Sequence, residues 1–417
     1  MPKRDAEPRR GRPIPPLIST DPQNAYDHLR EQAAACAIPS VEGTPMWVAG
    51  RYEGVRSMLS DPRFANNPAT VPNGAAALLP GEPLRKLGLD DDLVPYLSDT
   101  ILDSDGRDHA RLRRLVTPAF SVQRIMTLRP RIERLADDLL DALPNHATGG
   151  VADLLDHFAH PLPIQVIGDL VGVPAADLPS WLRWTHDLSF DRQSLTGTLR
   201  PLVDYTHDLV RRRRAEPGDD VISELLRVQD DDGDRLDDRE LVTMVLSLVI
   251  AGHDTTAAFI ANSVWALLTH PDQLAALRAD PGLMPRAVQE LLRWCGPVLV
   301  ARTRYAMRDV DLGWASFRSG DAVAAALSGA NHDPREFADP KELDIARKYQ
   351  NRGEVHVSFG AGPHYCLGAA LARLEVEAAL GRLLERYPGL ALAVPERDLR
   401  WHAASGMRKL AELPVRL

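Results

Sequence analysis

Phe359-Gly360-Ala361-Gly362-Pro363-His364-Tyr365-Cys366-Leu367-Gly368 closes a strand-like run, Val355 to Phe359, and passes into helical spacing with Leu367, Leu371 and Leu374 on one face. The pattern predicts a long helix from Leu367 to Arg386 with Cys366 at its N-terminus. Free backbone N–H groups and the positive end of the peptide dipoles favour a thiolate there. Gly360 and Gly362 permit turns that a Cβ resists, and Gly368 lets the helix approach a flat ligand closely. Two plainer readings compete. A lone cysteine is more often buried and inert, and Gly-x-Gly suggests a phosphate loop, although Tyr365 occupies the place of its third glycine.

Upstream, Asp237 and Glu240 form a helix start, and apolar residues continue through Val245, Leu248 and Ile250 to roughly Thr269. In its middle stands Ala251-Gly252-His253-Asp254-Thr255-Thr256, where glycine, a carboxylate and hydroxyls interrupt an apolar helix and can open a small polar groove. The alternative is that the threonines bond back to helix carbonyls while Asp254 meets solvent or a salt bridge. Glu290-Leu291-Leu292-Arg293 is an i,i+3 ion-pair signal that is weak in isolation.

Together these residues resemble the cytochrome P-450 family over about Pro16 to Leu417. The resemblance implies a mainly α fold with small β-sheets, a single triangular haem-binding domain over 17–417 and a disordered tail over 1–16. It implies haem b with Cys366 on the iron, and Phe359, Gly360 and Gly368 against the cofactor. His109 and Arg113, four apart on one helix face, and Arg304 and His356 match the family's haem-carboxylate partners. Asp254 and Thr255 match its acid-threonine pair, which delivers protons while the thiolate pushes electrons from the other side. Glu290, Arg293 and Arg347 match a buried network that holds the cysteine loop.

The implied reaction is oxygen insertion from dioxygen by a monooxygenase, as hydroxylation or epoxidation, with electrons from a separate ferredoxin or flavodoxin and its reductase. The substrate is expected to be a hydrophobic small molecule. It would be covered by the Asn67 to Pro95 loop and the region Trp184 to Arg192, and touched by Ala251, Val298 and Leu299. The chain is most similar to actinobacterial members that tailor macrolides and other polyketides in antibiotic biosynthesis. A terpene, steroid or fatty-acid hydroxylase is the alternative. A haem sensor without turnover has no need of Asp254 and Thr255, and a peroxide-using enzyme usually dispenses with them. His332, where arginine is common, and Arg318, where a turn proline is usual, depart from the family pattern without touching its chemistry.

Bulk properties agree. The 417 residues, 44% hydrophobic, contain no repeat or Gly/Ser-rich linker, which favours one large unit over several domains. A net charge of -9 argues against a general nucleic-acid surface. The three cysteines, Cys36, Cys295 and Cys366, are too few and too far apart for a disulfide framework. The basic, proline-rich start lacks a signal peptide's apolar core, and the run Leu241 to Ala251 falls short of the ~20 residues that span a bilayer. A cytoplasmic protein is expected. Asp230 to Asp234 hints at a calcium loop, but Val228 and Arg239 stand where that loop needs acids. Arg111 and Arg114 suggest a basic patch for an electron donor, or simply a solvated helix face.

Overall fold

Short apolar runs bounded by proline and glycine become the strands of this chain, and longer runs of period 3.6 become its helices. The computed structural model describes residues 22–39, 45–71, 81–190, 195–228, 233–349, 355–402 and 406–417. The tail 1–16, the middle of the cover segment at 72–80, positions 191–192 and the acidic run 229–232 lie outside the described residues. The chain is mostly helical with small sheets, and it groups into two compact units.

The first unit comprises the described residues within Met1–Ala76, Gln289–Cys366 and Trp401–Lys409. Its centre is a five-stranded sheet in the order Ala35–Pro39, Pro45–Ala49, Ala322–Ala325, Arg304–Ala306, Phe64–Ala65. Pro45–Ala49 and Ala322–Ala325 run parallel, with Ala49 opposite Ala325, while Arg304 lies opposite Val323 in antiparallel pairing. Helix Tyr52–Ser60 buries Val55 and Met58 in the core beneath this sheet. Phe317 gathers Trp47, Phe64 and Trp314 edge-on at 6.0, 5.6 and 5.9 Å, contacts of roughly 0.5–1.5 kcal/mol each beyond their burial.

The second unit comprises the described residues within Ala77–Val288, Leu367–Arg400 and Leu410–Leu417. Its axis is the 32-residue helix Asp238–Thr269, and the start read from sequence is a full capping box. Asp237 Oδ1 accepts from the Glu240 N–H at 2.8 Å, and Glu240 Oε2 accepts from the Asp237 N–H at 3.0 Å. Helices Pro161–Val171, Leu195–Ala215 and Ala369–Arg386 pack against it. Although this helix is long and apolar enough to cross a membrane, 67% of its most apolar window is buried inside the protein, as expected of a core helix.

Three local expectations are corrected. Val355 to Phe359 is irregular rather than a strand, because its amides turn to other partners. The Val357 N–H goes to Asn331 Oδ1 at 2.8 Å, and the Gly360 N–H goes to the Val357 carbonyl at 2.8 Å. The last helix begins at Ala369, with Gly368 as its N-cap, so Cys366 stands two residues before the cap. Its own amide closes the loop on the Phe359 carbonyl at 2.9 Å. The Asn67 to Pro95 segment is not one loop. Asn67 caps a short turn, Pro68–Thr70, through the Ala69 N–H at 2.9 Å, and Glu82–Lys86 and Pro95–Ser98 are short helices, each started by proline in its first turn.

Candidate active site

In the first unit, the cysteine loop is fixed by backbone geometry. Gly360 and Gly362 have φ of 74° and 71°, the left-handed region that a Cβ opposes. A side chain at Gly362 would also lie 2.6 Å from the Leu59 carbonyl and 2.7 Å from Ser60 Cα, whereas one at Gly360 would meet nothing nearer than 4.0 Å. Gly362 therefore docks the loop on helix Tyr52–Ser60, and Gly360 faces open room. His364 adds a hydrogen bond to Asn66 at 3.1 Å. Of the three cysteines, Cys36 and Cys295 are buried and donate to the carbonyls of Leu29 and Leu291. Burial pushes both thiols up, Cys295 to about 12, which disfavours thiolate. Cys366 alone is half-exposed.

Behind the loop lies a buried polar network centred on Glu290. Arg293 clasps both of its oxygens, Nη2 to Oε1 at 2.7 Å and Nε to Oε2 at 2.8 Å, with both side chains fully buried. Arg347 Nε reaches Oε1 at 3.0 Å, as the sequence suggested. Two further donors have no sequence signal: the Tyr349 hydroxyl to Oε2 at 2.7 Å and the Asp344 N–H to Oε1 at 3.1 Å. Arg293 Nη1 also bonds the Asn331 carbonyl at 2.9 Å. Asn331 in turn holds the loop, with Oδ1 on the Val357 N–H and Nδ2 on Ser358 Oγ at 2.8 Å each. Its own amide group could not be assigned from spacing, because it lies 38 residues from Arg293.

In the second unit, the central helix carries an uncovered face. Between Leu241 and Leu267 every residue is buried except Leu248, Ile250, Ala251, Gly252, Asp254 and Thr255, and Ala251 is exposed. Leu248, Ala251, Gly252 and Thr255 follow the spacing of a single helix face. Thr255 Oγ1 donates to the Ala251 carbonyl at 2.7 Å, the backward bond that the plainer reading anticipated, and the helix runs on without a break. A stripe of this kind in a core helix fits a flat, largely apolar partner, just as the open room at Gly360 does.

The model of the cytochrome P450 family matches residues 177–281 and 282–395. Cytochrome P450 107B1 of Saccharopolyspora erythraea is 42% identical, covering 96% of each chain. The chain belongs to the cytochrome P450 family. The 6-deoxyerythronolide B hydroxylase of the same organism is 38% identical over 94% of this chain and 95% of its own. Among solved structures, the cytochrome P450 PksS of the Bacillus subtilis bacillaene polyketide synthase superposes with a TM-score of 0.86, at 33% identity over 98% and 99% of the two chains.

This P450 is thus an oxygenase with haem b as its cofactor, acting on a small molecule with dioxygen and electrons from a redox partner. The reading as a haem sensor without turnover falls with that finding. The four cations named from sequence lie as follows. His109, 5% exposed, and Arg113, half-buried, share helix Gly106–Val116 in the second unit. Arg304, 6% exposed, lies on the five-stranded sheet of the first unit, where His356 is also buried. His356 Nε2 meets Gln289 Oε1 at 2.9 Å, a contact that no sequence signal announced. Arg111 is not a free surface cation, since Glu240 and Asp234 both pair with it.

Val298 lies in an isolated bridge with Met407, and Leu299 is buried beside Tyr26, Leu29 and Val48. In the second unit, the described part of the cover segment is tied to helix Leu195–Ala215. Arg200 pairs with Asp90 and Asp92 at 2.8 Å each, Thr196 Oγ1 accepts from the Asp90 N–H at 2.9 Å, and Tyr96, just past the segment, meets His207 at 2.8 Å. Trp184 lies on helix Leu178–Phe190, its ring 5.6 Å from that of Tyr205.

Proposed function

We propose that this P450 oxygenates a polyketide of the macrolide type, by hydroxylation or epoxidation, within residues 17–417 as one catalytic domain. The uncovered face of the central helix around Ala251 carries the reading, because it presents Leu248, Ala251, Gly252 and the Thr255 hydroxyl, with Asp254 next in sequence, inside an otherwise buried helix. Cys366 supplies the thiolate to the iron, Phe359, Gly360 and Gly368 border the cofactor, and His109, Arg113, Arg304 and His356 pair with its carboxylates, whose charge needs compensation once buried. Bound haem supplies the reductive activation of dioxygen.

The chain's own residues then position and protonate. Asp254 passes protons inward, and Thr255 holds the last proton donor beside the Ala251 carbonyl. Glu290, Arg293 and Arg347 hold the loop that presents the sulfur. Ala251 and Val298 bound the substrate, whereas Leu299, packed beside Tyr26, Leu29 and Val48, supports the neighbouring backbone from the core. A ferredoxin or flavodoxin with its reductase supplies the electrons in the cytoplasm. Relatives named for 6-deoxyerythronolide B and for a polyketide synthase support this choice of substrate over a terpene, steroid or fatty acid.

Difference spectra of the holoenzyme against macrolactones, terpenes, steroids and fatty acids test the substrate class. The expected result is displacement of the iron-bound water by macrolactones at lower concentration than by any other class. A tighter response to a steroid or fatty acid overturns the polyketide assignment.

A further inference from the structure

A cleft of about 810 Å³ opens in the second unit, within the ~300–1,000 Å³ range of small-molecule sites. Leu128, Ile132, Leu135, Val166, Leu170 and Val173 give it an apolar floor. Its rim carries three guanidinium groups and three carboxylates. Arg131 meets Asp169 at 2.6 Å, Arg124 pairs with Glu224 and lies 3.8 Å from Asp219, and Arg213 holds Asp220 and the Gly172 carbonyl at 2.5 Å each. A charged ligand would have to break one of these pairs, whereas a neutral one can accept from the remaining guanidinium N–H groups.

The helix Pro161–Val171 connects this cleft to the centre of the unit. It turns Val166 and Leu170 to the cleft and packs along the central helix, where a methyl on Gly252 would lie 3.7 Å from Ile167 Cδ1. Gly252 directly follows Ala251, whose carbonyl receives the Thr255 hydroxyl. A core packed to crystal density transmits displacement through such contacts rather than absorbing it. We propose that the cleft binds a neutral, oxygenated apolar molecule as an effector, and that Ile167 couples its occupancy to the Ala251–Thr255 turn. The coupling rests on the proton-delivery reading of that turn; the binding does not.

The test uses the holoenzyme with 4-phenylimidazole on the iron, so that the haem pocket is closed, and labelled progesterone as a neutral oxygenated probe. Equilibrium dialysis should show saturable binding that Thr127→Trp, a substitution at the exposed cleft edge, weakens about tenfold, with Leu128→Trp as a second plug. Occupancy should slow amide exchange over 249–256 in the parent and not in the Thr127 variant. Absence of saturable binding, binding that neither tryptophan weakens, or binding that leaves 249–256 unchanged overturns the proposal. Failure of the proton-delivery reading would appear separately, as unchanged product per electron pair in Thr255→Ala, and would leave the dialysis result standing.

Discussion

The Glu290 network and the Asp254–Thr255 turn are both polar islands in apolar surroundings, and they are built in opposite ways. Five donors converge on the Glu290 carboxylate, from Arg293, Arg347, Tyr349 and the Asp344 amide, so no lone pair is left to move. The Thr255 hydroxyl has one bond within its own helix and lies on the uncovered face. A carboxylate saturated by buried donors is a clamp, because changing its protonation would leave buried cations uncompensated. A hydroxyl on an open face can exchange a hydrogen-bond partner at little structural cost. Similar polar residue types are thus locked in place in one region and left open in the other, as the proposed proton delivery requires.

Breaking the clamp should have the largest effect. Glu290→Ala leaves the Arg293 charge buried without its partner, and a loss of about 3–5 kcal/mol is expected, seen in urea unfolding together with poor haem retention. Retention of stability and haem would show that the network does not hold the loop. Changes to the open turn should leave folding and haem content intact. Thr255→Ala should lower product formed per electron pair by about tenfold, and Asp254→Asn should slow turnover by a similar factor; unchanged coupling in the Thr255 variant removes the relay.

The smallest effect concerns His332, beside the clamp, whose Nδ1 lies 3.0 Å from the Ser328 carbonyl. Burial, and then the Arg293, Arg30 and Arg408 charges, push its imidazole from 6.5 down to about 3. The unfolded chain gains a proton below 6.5 that the folded chain refuses, so this contribution to stability is complete above pH 6.5 and declines as pH falls toward 3. One pH unit below 6.5 the decline is about 1.4 kcal/mol. His332→Gln should flatten that part of the curve, and an identical pH dependence in both proteins would contradict a buried neutral ring.

Much of this was legible in the sequence, and for physical reasons. The central helix announced itself through apolar period and the Asp237–Glu240 capping box, both local signals. Cys366 and its glycines could be read because turn chemistry is local too. The partners of Glu290 could be only partly read: Arg293 stands one turn away, but Tyr349 and the Asp344 amide are brought in by the tertiary fold alone. Val355 to Phe359 has strand composition, yet its amides are claimed by Asn331 and by a turn, which outcompete sheet pairing. The helix start after Cys366 was misplaced by two residues because the Cys366 amide is spent on Phe359.

The most direct measurement of the central claim is the absorption spectrum of the reduced, carbon monoxide-treated protein and its Cys366→His variant. The parent should show the long-wavelength Soret band of thiolate-ligated haem, and the variant should shift to the shorter wavelength of imidazole ligation. A parent spectrum already at the imidazole position, or a thiolate band that survives the substitution, would contradict the assignment of the iron to Cys366.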